Sequence, residues 1–266
     1  MTATATRDVP PLNVFEMNVH SQNGEDGVIR EILRRLEIAD DASRWCVEFG
    51  AWDGVYLSNT FALVEKGWSA VYIEGDTAKY RDLLETVATH PRIVPLNEFV
   101  SRNKSEANCL DGLLGRTAVP RDFDLLSIDI DSYDLEIWES LSNYRPKIVV
   151  IEINSSVPPG IVWRHSPRTP ENTFSATQNV AVHKGYTLVC HTGNCIYVRN
   201  DLVAKIELDA RYIQYPELLF LFDSPWFSAD LFREKTLSII KFIPRPLRPV
   251  LRKFKFLREL KKGLSS

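Results

Sequence analysis

Four short runs of nearly unbroken apolar residues, each running out on carboxylates, constrain this chain more than any other feature. They are WCVEFG from Trp45, SAVYIEG from Ser69, FDLLSIDI from Phe123 and KIVVIEIN from Lys147. Runs of that length without polar alternation are what parallel strands look like when helices cover both faces of their sheet. RIVPL is a weaker further strand, and YTLVCH and CIYVRN, joined by Thr192, Gly193 and Asn194, read as an antiparallel hairpin. Helical spacing fills the gaps. One helix is capped by Ser21 and carries Val28, Ile29, Ile32, Leu33 and Leu36, and LSNTFALVEKG is a second, ended by Gly67. Further helices are expected from Thr77 to about Ala88, from Asn108 to Leu114, from Tyr133 to Leu141 and from Ala176 to Lys184. The sum is an α/β fold: a Rossmann-like, doubly wound sheet of about seven strands, mostly parallel, with an antiparallel C-terminal hairpin.

Charge divides the 266 residues further. From Arg233 onward there are 11 Lys and Arg against 2 Glu, so of 32 basic and 35 acidic residues the first 232 positions hold 21 and 33. The predicted organisation is an N-terminal arm over 1–20, a catalytic domain over 21–232 and a basic amphipathic tail over 233–266. The acidic body would repel a nucleic-acid backbone, so no nucleic-acid partner is expected. In the tail Val250, Phe254 and Leu257 share one helical face among Arg and Lys. Such a helix either lies on an anionic membrane surface or packs on the body or on a second subunit, which would make a homodimer. No apolar run approaches the ~18 residues that cross a bilayer, and the opening residues lack a signal-peptide pattern. Cys46, Cys109, Cys190 and Cys195 form no C-x-x-C pair and read as reduced core residues. The expected location is cytoplasmic, and the membrane alternative for the tail would place the protein at the inner face of the membrane.

In such sheets ligands sit beyond the carboxyl ends of the strands. There the chain places Glu48, Gly50, Asp53 and Gly54, then Glu74 and Asp76, then Asp129 and Asp131, and finally Glu152. A dinucleotide turn needs a glycine where this chain has Trp52, and a carboxylate at Asp53 would repel phosphate, which disfavours a nicotinamide oxidoreductase. S-adenosylmethionine (SAM) carries an ammonium and a ribose diol instead. Glu74, 24 residues after Gly50, suits the diol, since the acid in Rossmann units follows the glycine turn by about 20.

VEFGAWDG, followed by LSNT and YIEGD, with SQNGED upstream and FDLLSIDID, KIVVIEIN and GYTLV downstream, resembles the class I SAM-dependent methyltransferases and in particular their FkbM-like group. The likeness runs from Ser21 to about Asn200. It implies a seven-stranded sheet with the last hairpin reversed and SAM as methyl donor. It also implies a donor-binding set of Glu48, Gly50, Asp53, Gly54, Asn59, Glu74 and Asp129. Trp52 departs from the commoner methyltransferase glycine pattern.

Asp129 and Asp131, two apart in an extended segment, point to the same side as their strand ends, and Glu152 ends the next strand in sequence. Three converging carboxylates repel one another unless a cation or protons intervene, and all-oxygen ligation favours Mg2+ or Ca2+. The segment resembles the acidic motif of metal-dependent sugar O-methyltransferases, with Asn154 where those enzymes carry a further aspartate. The expected activity is therefore SAM-dependent O-methylation of a sugar or glycan hydroxyl, assisted by Mg2+. Asp129 and Asp131 are the first candidates for the base and His165 the second, while the bland alternative for the aspartates is a helix cap. The loop carrying Trp163, Arg164 and Arg168 is long enough to form a substrate lid. SQNGEDG is either a turn ahead of a helix or a segment closing over the donor. The rival from another class is a non-catalytic binding protein that keeps the fold and uses its tail to reach a membrane or partner.

Overall fold

The computed structural model describes residues 10–169 and 171–222. The tail over 233–266, its helix from Val250 and the start of the arm lie outside the described residues. No described helix is long and apolar enough to cross a membrane.

Seven strands form one sheet in the order β3-β2-β1-β4-β5-β7-β6. They are β1 (Trp45–Phe49), β2 (Ser69–Ile73), β3 (Ile93–Leu96), β4 (Leu125–Ile128), β5 (Ile148–Glu152), β6 (Tyr186–His191) and β7 (Asn194–Arg199). The first five pair in parallel, and β7 runs antiparallel to both β5 and β6. This is the Rossmann-like, mostly parallel sheet with the antiparallel C-terminal hairpin that the sequence pattern implies. Strand direction of travel switches between β1 and β4, which opens a crevice at their carboxyl ends.

Alternate residues of each strand feed two separate cores, as the two-residue period of a strand requires. Val47, Phe49, Leu126, Ile128, Val149 and Ile151 face one layer, with α4 (Leu110–Leu114), α5 (Asp134–Ser140) and α6 (Phe174–Lys184). Cys46, Ala70, Tyr72, Leu125, Ile148 and Val150 face the other, with α1 (Glu25–Arg35), α2 (Phe61–Val64) and Leu83 of α3 (Thr77–Thr89). Each fully buried Leu, Ile or Phe contributes roughly 1.5–3 kcal/mol. All four cysteines are buried free thiols.

Two helices differ from their sequence patterns. The segment over 57–67 is helical only through α2, because Ser58, Asn59 and Thr60 are drawn into a loop around the carboxylate of Glu48. α1 begins at Glu25 after Gly24, whose φ of 90° is left-handed. Ser21 acts one turn earlier: its hydroxyl accepts from the Asp26 N–H, while the Asp26 carboxylate accepts from the N–H groups of Val19, His20 and Ser21. The SQNGED segment is thus folded back as a strap rather than wound into the helix.

Candidate active site

A cleft of about 740 Å3 opens at the carboxyl ends of β1, β2 and β4. Its floor depends on Gly50. With φ 79°, a Cβ there would lie 1.9 Å from the Asp129 carbonyl oxygen, so β4 can close against β1 only over a glycine. The following turn holds Trp52 at φ 45° and Leu57 at φ 57°, conformations that cost about 1–3 kcal/mol each and recur at ligand clamps. The strain turns Trp52 outward to the rim, where the Lys79 ammonium lies 4.5 Å from its ring and Tyr56 meets it edge-on.

Glu74 lies at the end of β2 with its carboxylate locked in place. One oxygen accepts from the Trp52 N–H at 2.9 Å and the other from the Asp76 N–H at 2.7 Å. Each oxygen keeps a lone pair for a further donor, such as a hydroxyl of a vicinal diol. Asp76 caps α3 through the N–H groups of Ala78 and Lys79.

The other donor residues expected from sequence divide in their placement. Glu48, Gly50, Glu74 and Asp129 line this cleft. Asp53 and Gly54 do not. The Asp53 carboxylate accepts from the N–H groups of Val55 and Tyr56 and so shapes the turn. Gly54 makes room for Leu83 and the Tyr72 ring. Asn59 donates to the Ser127 hydroxyl and borders a second cavity. Glu48, although at the wall, is buried and spent: it accepts from the hydroxyls of Ser58 and Thr60 and from the Asn59 N–H. Burial nonetheless pushes its carboxyl up from the ordinary range.

The second cavity, of about 380 Å3, lies across Asp129, Asp131 and Glu152 from the first, and all three side chains border both spaces. One oxygen from each of the three falls within 4.8 Å of the others. Burial, then the charges of Asp134 and Asp131, raises Asp129, and burial followed by the charge of Asp129 raises Glu152. One Glu152 oxygen is buried with no hydrogen-bond partner among the described residues. Uncompensated carboxylates this close either share a proton or take up a cation.

Their placement depends on a residue that sequence reading passed over. Asp134, at the first position of α5, accepts from the N–H groups of Ile130 and Ser132 and so bends the chain after β4. Asp131 thereby adopts φ 57° and faces the cluster. Neither Asp129 nor Asp131 caps α5, which starts after Tyr133 with no side-chain cap; Asp134 holds the loop ahead of it instead, and burial raises its carboxyl to about 6. An Asp opening a helix pattern was its available signal.

His165 stands apart. It meets the Tyr133 ring at 4.7 Å, its Nδ1 accepts from the Glu171 N–H, and it borders neither cavity. Arg164 is paired with Glu139 and Arg168 is exposed, so neither basic group of the expected lid lines a cavity. Glu171 from the same loop does reach the second cavity, with a left-handed φ of 50°.

No protein-family model matches the chain, and no curated protein does. Among solved structures it is similar to a SAM-dependent methyltransferase from Aquifex aeolicus, at 12% identity over 66% of this chain and 88% of that one, TM-score 0.41. It is also similar to M. capricolum TrmK in complex with S-adenosyl-homocysteine, at 12% identity over 87% and 93%, TM-score 0.43. A putative caffeoyl-CoA O-methyltransferase from Staphylococcus aureus shares 13% identity over 65% and 81%, TM-score 0.40.

Proposed function

We propose that the chain is a SAM-dependent methyltransferase acting on a hydroxyl of a sugar or glycan precursor. The observation that carries this reading is the meeting of two cavities at one carboxylate wall. One is large enough for a nucleoside-sized donor and has a locked carboxylate for a diol; the other can bring an acceptor against the same acids. Glu74 would hold the ribose, Gly50 would let the donor approach the backbone, and Asp129 would face its reacting end.

The residues present also fit a divalent cation. Asp129, Asp131 and Glu152 offer only oxygen, lie close enough to share one ion, and leave a buried Glu152 oxygen without a partner among the described residues. When bound, Mg2+ would supply positive charge that orients a hydroxyl and lowers its pKa. Methyl transfer is an in-line displacement. The bond between methyl carbon and sulfur breaks with its electron pair left on sulfur, a bond from that carbon to the acceptor oxygen forms, and the hydroxyl proton passes to the Asp129 carboxylate. Asp134 keeps the loop that carries Asp131 in position for this step. His165 borders neither cavity and takes no part in the proton path.

The test is transfer of a labelled methyl group from SAM to a panel of methyl glycosides, with and without EDTA. Expected is donor-dependent labelling that EDTA depresses and Mg2+ restores. Labelling unaffected by EDTA in wild type and unaffected in Asp129→Asn would remove the metal and base assignments.

A further inference from the structure

The second cavity has a composition unlike the first. The donor cleft carries Lys79 and Arg102 at its rim, but among the described residues no Lys, Arg or His borders the second cavity. Apart from the carboxylates, its wall is made mainly of neutral hydrogen-bonding groups: Gln22, Asn23, Asn59, Asn154, Ser156 and Asn194. Carboxamides both donate and accept, which is what a ring bearing several hydroxyls requires. A phosphate, sulfate or carboxylate would instead face four carboxylates, Glu171 included, with no cationic side chain among the described residues of the wall.

Two of these amides are available for a ligand. Asn154 uses its oxygen to accept from the Ser156 N–H and hydroxyl, and its amide nitrogen has no partner among the described residues. Gln22 is the other, and the strap presents it. Around it every polar side chain is turned inward. Asn18 donates to the Gln22 carbonyl, Asp26 holds three N–H groups, and Glu25 accepts from the Asn23 N–H. The other Glu25 oxygen accepts from the Thr192 hydroxyl and the Asn194 amide, tying the strap to the β6–β7 turn. The Asn23 amide packs where a side chain on Gly193 would stand. The Gln22 side chain is left exposed, without a partner among the described residues, and it borders both cavities.

We propose that the second cavity is the acceptor subsite, that it takes a polyhydroxylated acceptor with no anionic group beside the reacting hydroxyl, and that Gln22 on its strap positions that acceptor against the donor. This rests on the methyltransferase reading above. Asn154 is the specificity residue on the opposite side of the argument, since it borders the acceptor space and not the donor cleft.

The experiment uses the full-length protein loaded with S-adenosylhomocysteine and Mg2+. Saturation-transfer NMR measures binding of neutral methyl hexosides, of methyl glucuronide and of glucose 6-phosphate, and calorimetry measures homocysteine-product binding separately. Expected is binding of at least one neutral hexoside, with the two anionic sugars about tenfold weaker or absent. Asn154→Ala should weaken the hexoside about tenfold, as loss of a hydrogen-bonding group does, and leave product binding within about twofold. Gln22→Ala should weaken the hexoside by a similar factor, and Gln22→Glu should fail to rescue it. Hexoside binding unchanged in both alanine variants, anionic sugars bound as well as neutral ones, or no hexoside bound by a product-loaded wild type would each overturn the proposal while leaving the methyltransferase reading intact. A folded wild type that binds no product overturns that reading instead.

Discussion

Glu48 and Glu152 end two parallel strands of the same sheet, and the protein treats them in opposite ways. Glu48 is surrounded by Ser58, Asn59 and Thr60, which supply three donors to its two oxygens. Glu152 has a buried oxygen with no donor among the described residues and looks across at Asp129. Burial raises both carboxyls, but only the first is compensated by hydrogen bonds from its own chain. A satisfied carboxylate is scaffold: the loop before α2 is built on it. An unsatisfied one represents stability given up, and proteins retain such groups where a ligand completes them.

That contrast can be broken or sharpened by substitution. Asp129→Asn, on the uncompensated side, should lower the methyl-transfer rate by about 10²–10⁴-fold, the usual contribution of a positioned base, with the variant as stable as wild type in urea. An equal loss of stability and rate would move Asp129 to the scaffold side. Glu48→Ala should do the reverse and cost about 3 kcal/mol in a urea titration, because it takes the acceptor from the Ser58 hydroxyl and the Asn59 N–H and leaves the Thr60 hydroxyl only Tyr72. A cost below about 1 kcal/mol would show that the loop does not depend on it.

A histidine behind the wall of the second cavity gives a pH version of the same comparison. His191 is buried, its Nδ1 accepts from the Leu221 N–H, and it therefore carries its proton on Nε2, facing the Ser155 hydroxyl, which donates to the Gly193 carbonyl. Burial pushes its pKa down to about 3. The unfolded chain takes up that proton near pH 6.5, so the unfolded state gains protons first and stability falls as pH drops from about 6.5 towards 3. The slope should reach roughly 1 kcal/mol per pH unit and be shallower in His191→Gln, as followed by urea midpoints. Equal slopes in the two proteins would remove His191 from the account. The smallest effect concerns Glu152 itself. In metal-free buffer Glu152→Gln should leave Tm within about 2 °C of wild type, since burial and the charge of Asp129 already keep the Glu152 carboxyl protonated, and it should lose the rise that Mg2+ gives wild type. A lower metal-free Tm would mean that Glu152 has a partner of its own.

The sheet was legible because its signal is local: strands buried on both faces have no reason to admit polar residues until they run out, and each run did so where the cavities now lie. Helix ends were less legible. The stretch over 57–67 has helical spacing, yet Glu48, ten or more residues away in sequence, claims its first hydroxyls, and no local pattern shows such a demand. The carboxylates of the cluster could be picked out from their spacing, whereas Asp134 and Gln22 could not. Asp134 acts through backbone N–H groups, and Gln22 matters only because Glu25 and Asp26 spend their carboxylates on holding the strap. Asp53 illustrates the opposite error of reading: a carboxylate at a strand end can serve the turn that contains it.

The central claim is that the cleft beside Glu74 holds SAM, and calorimetric titration of S-adenosylhomocysteine into wild type and Glu74→Ala tests it most directly, with NAD as control. The account predicts one-to-one micromolar binding of the homocysteine product, a loss of about tenfold or more in Glu74→Ala, and no binding of NAD. Folded wild type that ignores the product, or a Glu74→Ala variant that binds it as tightly as wild type, would contradict it.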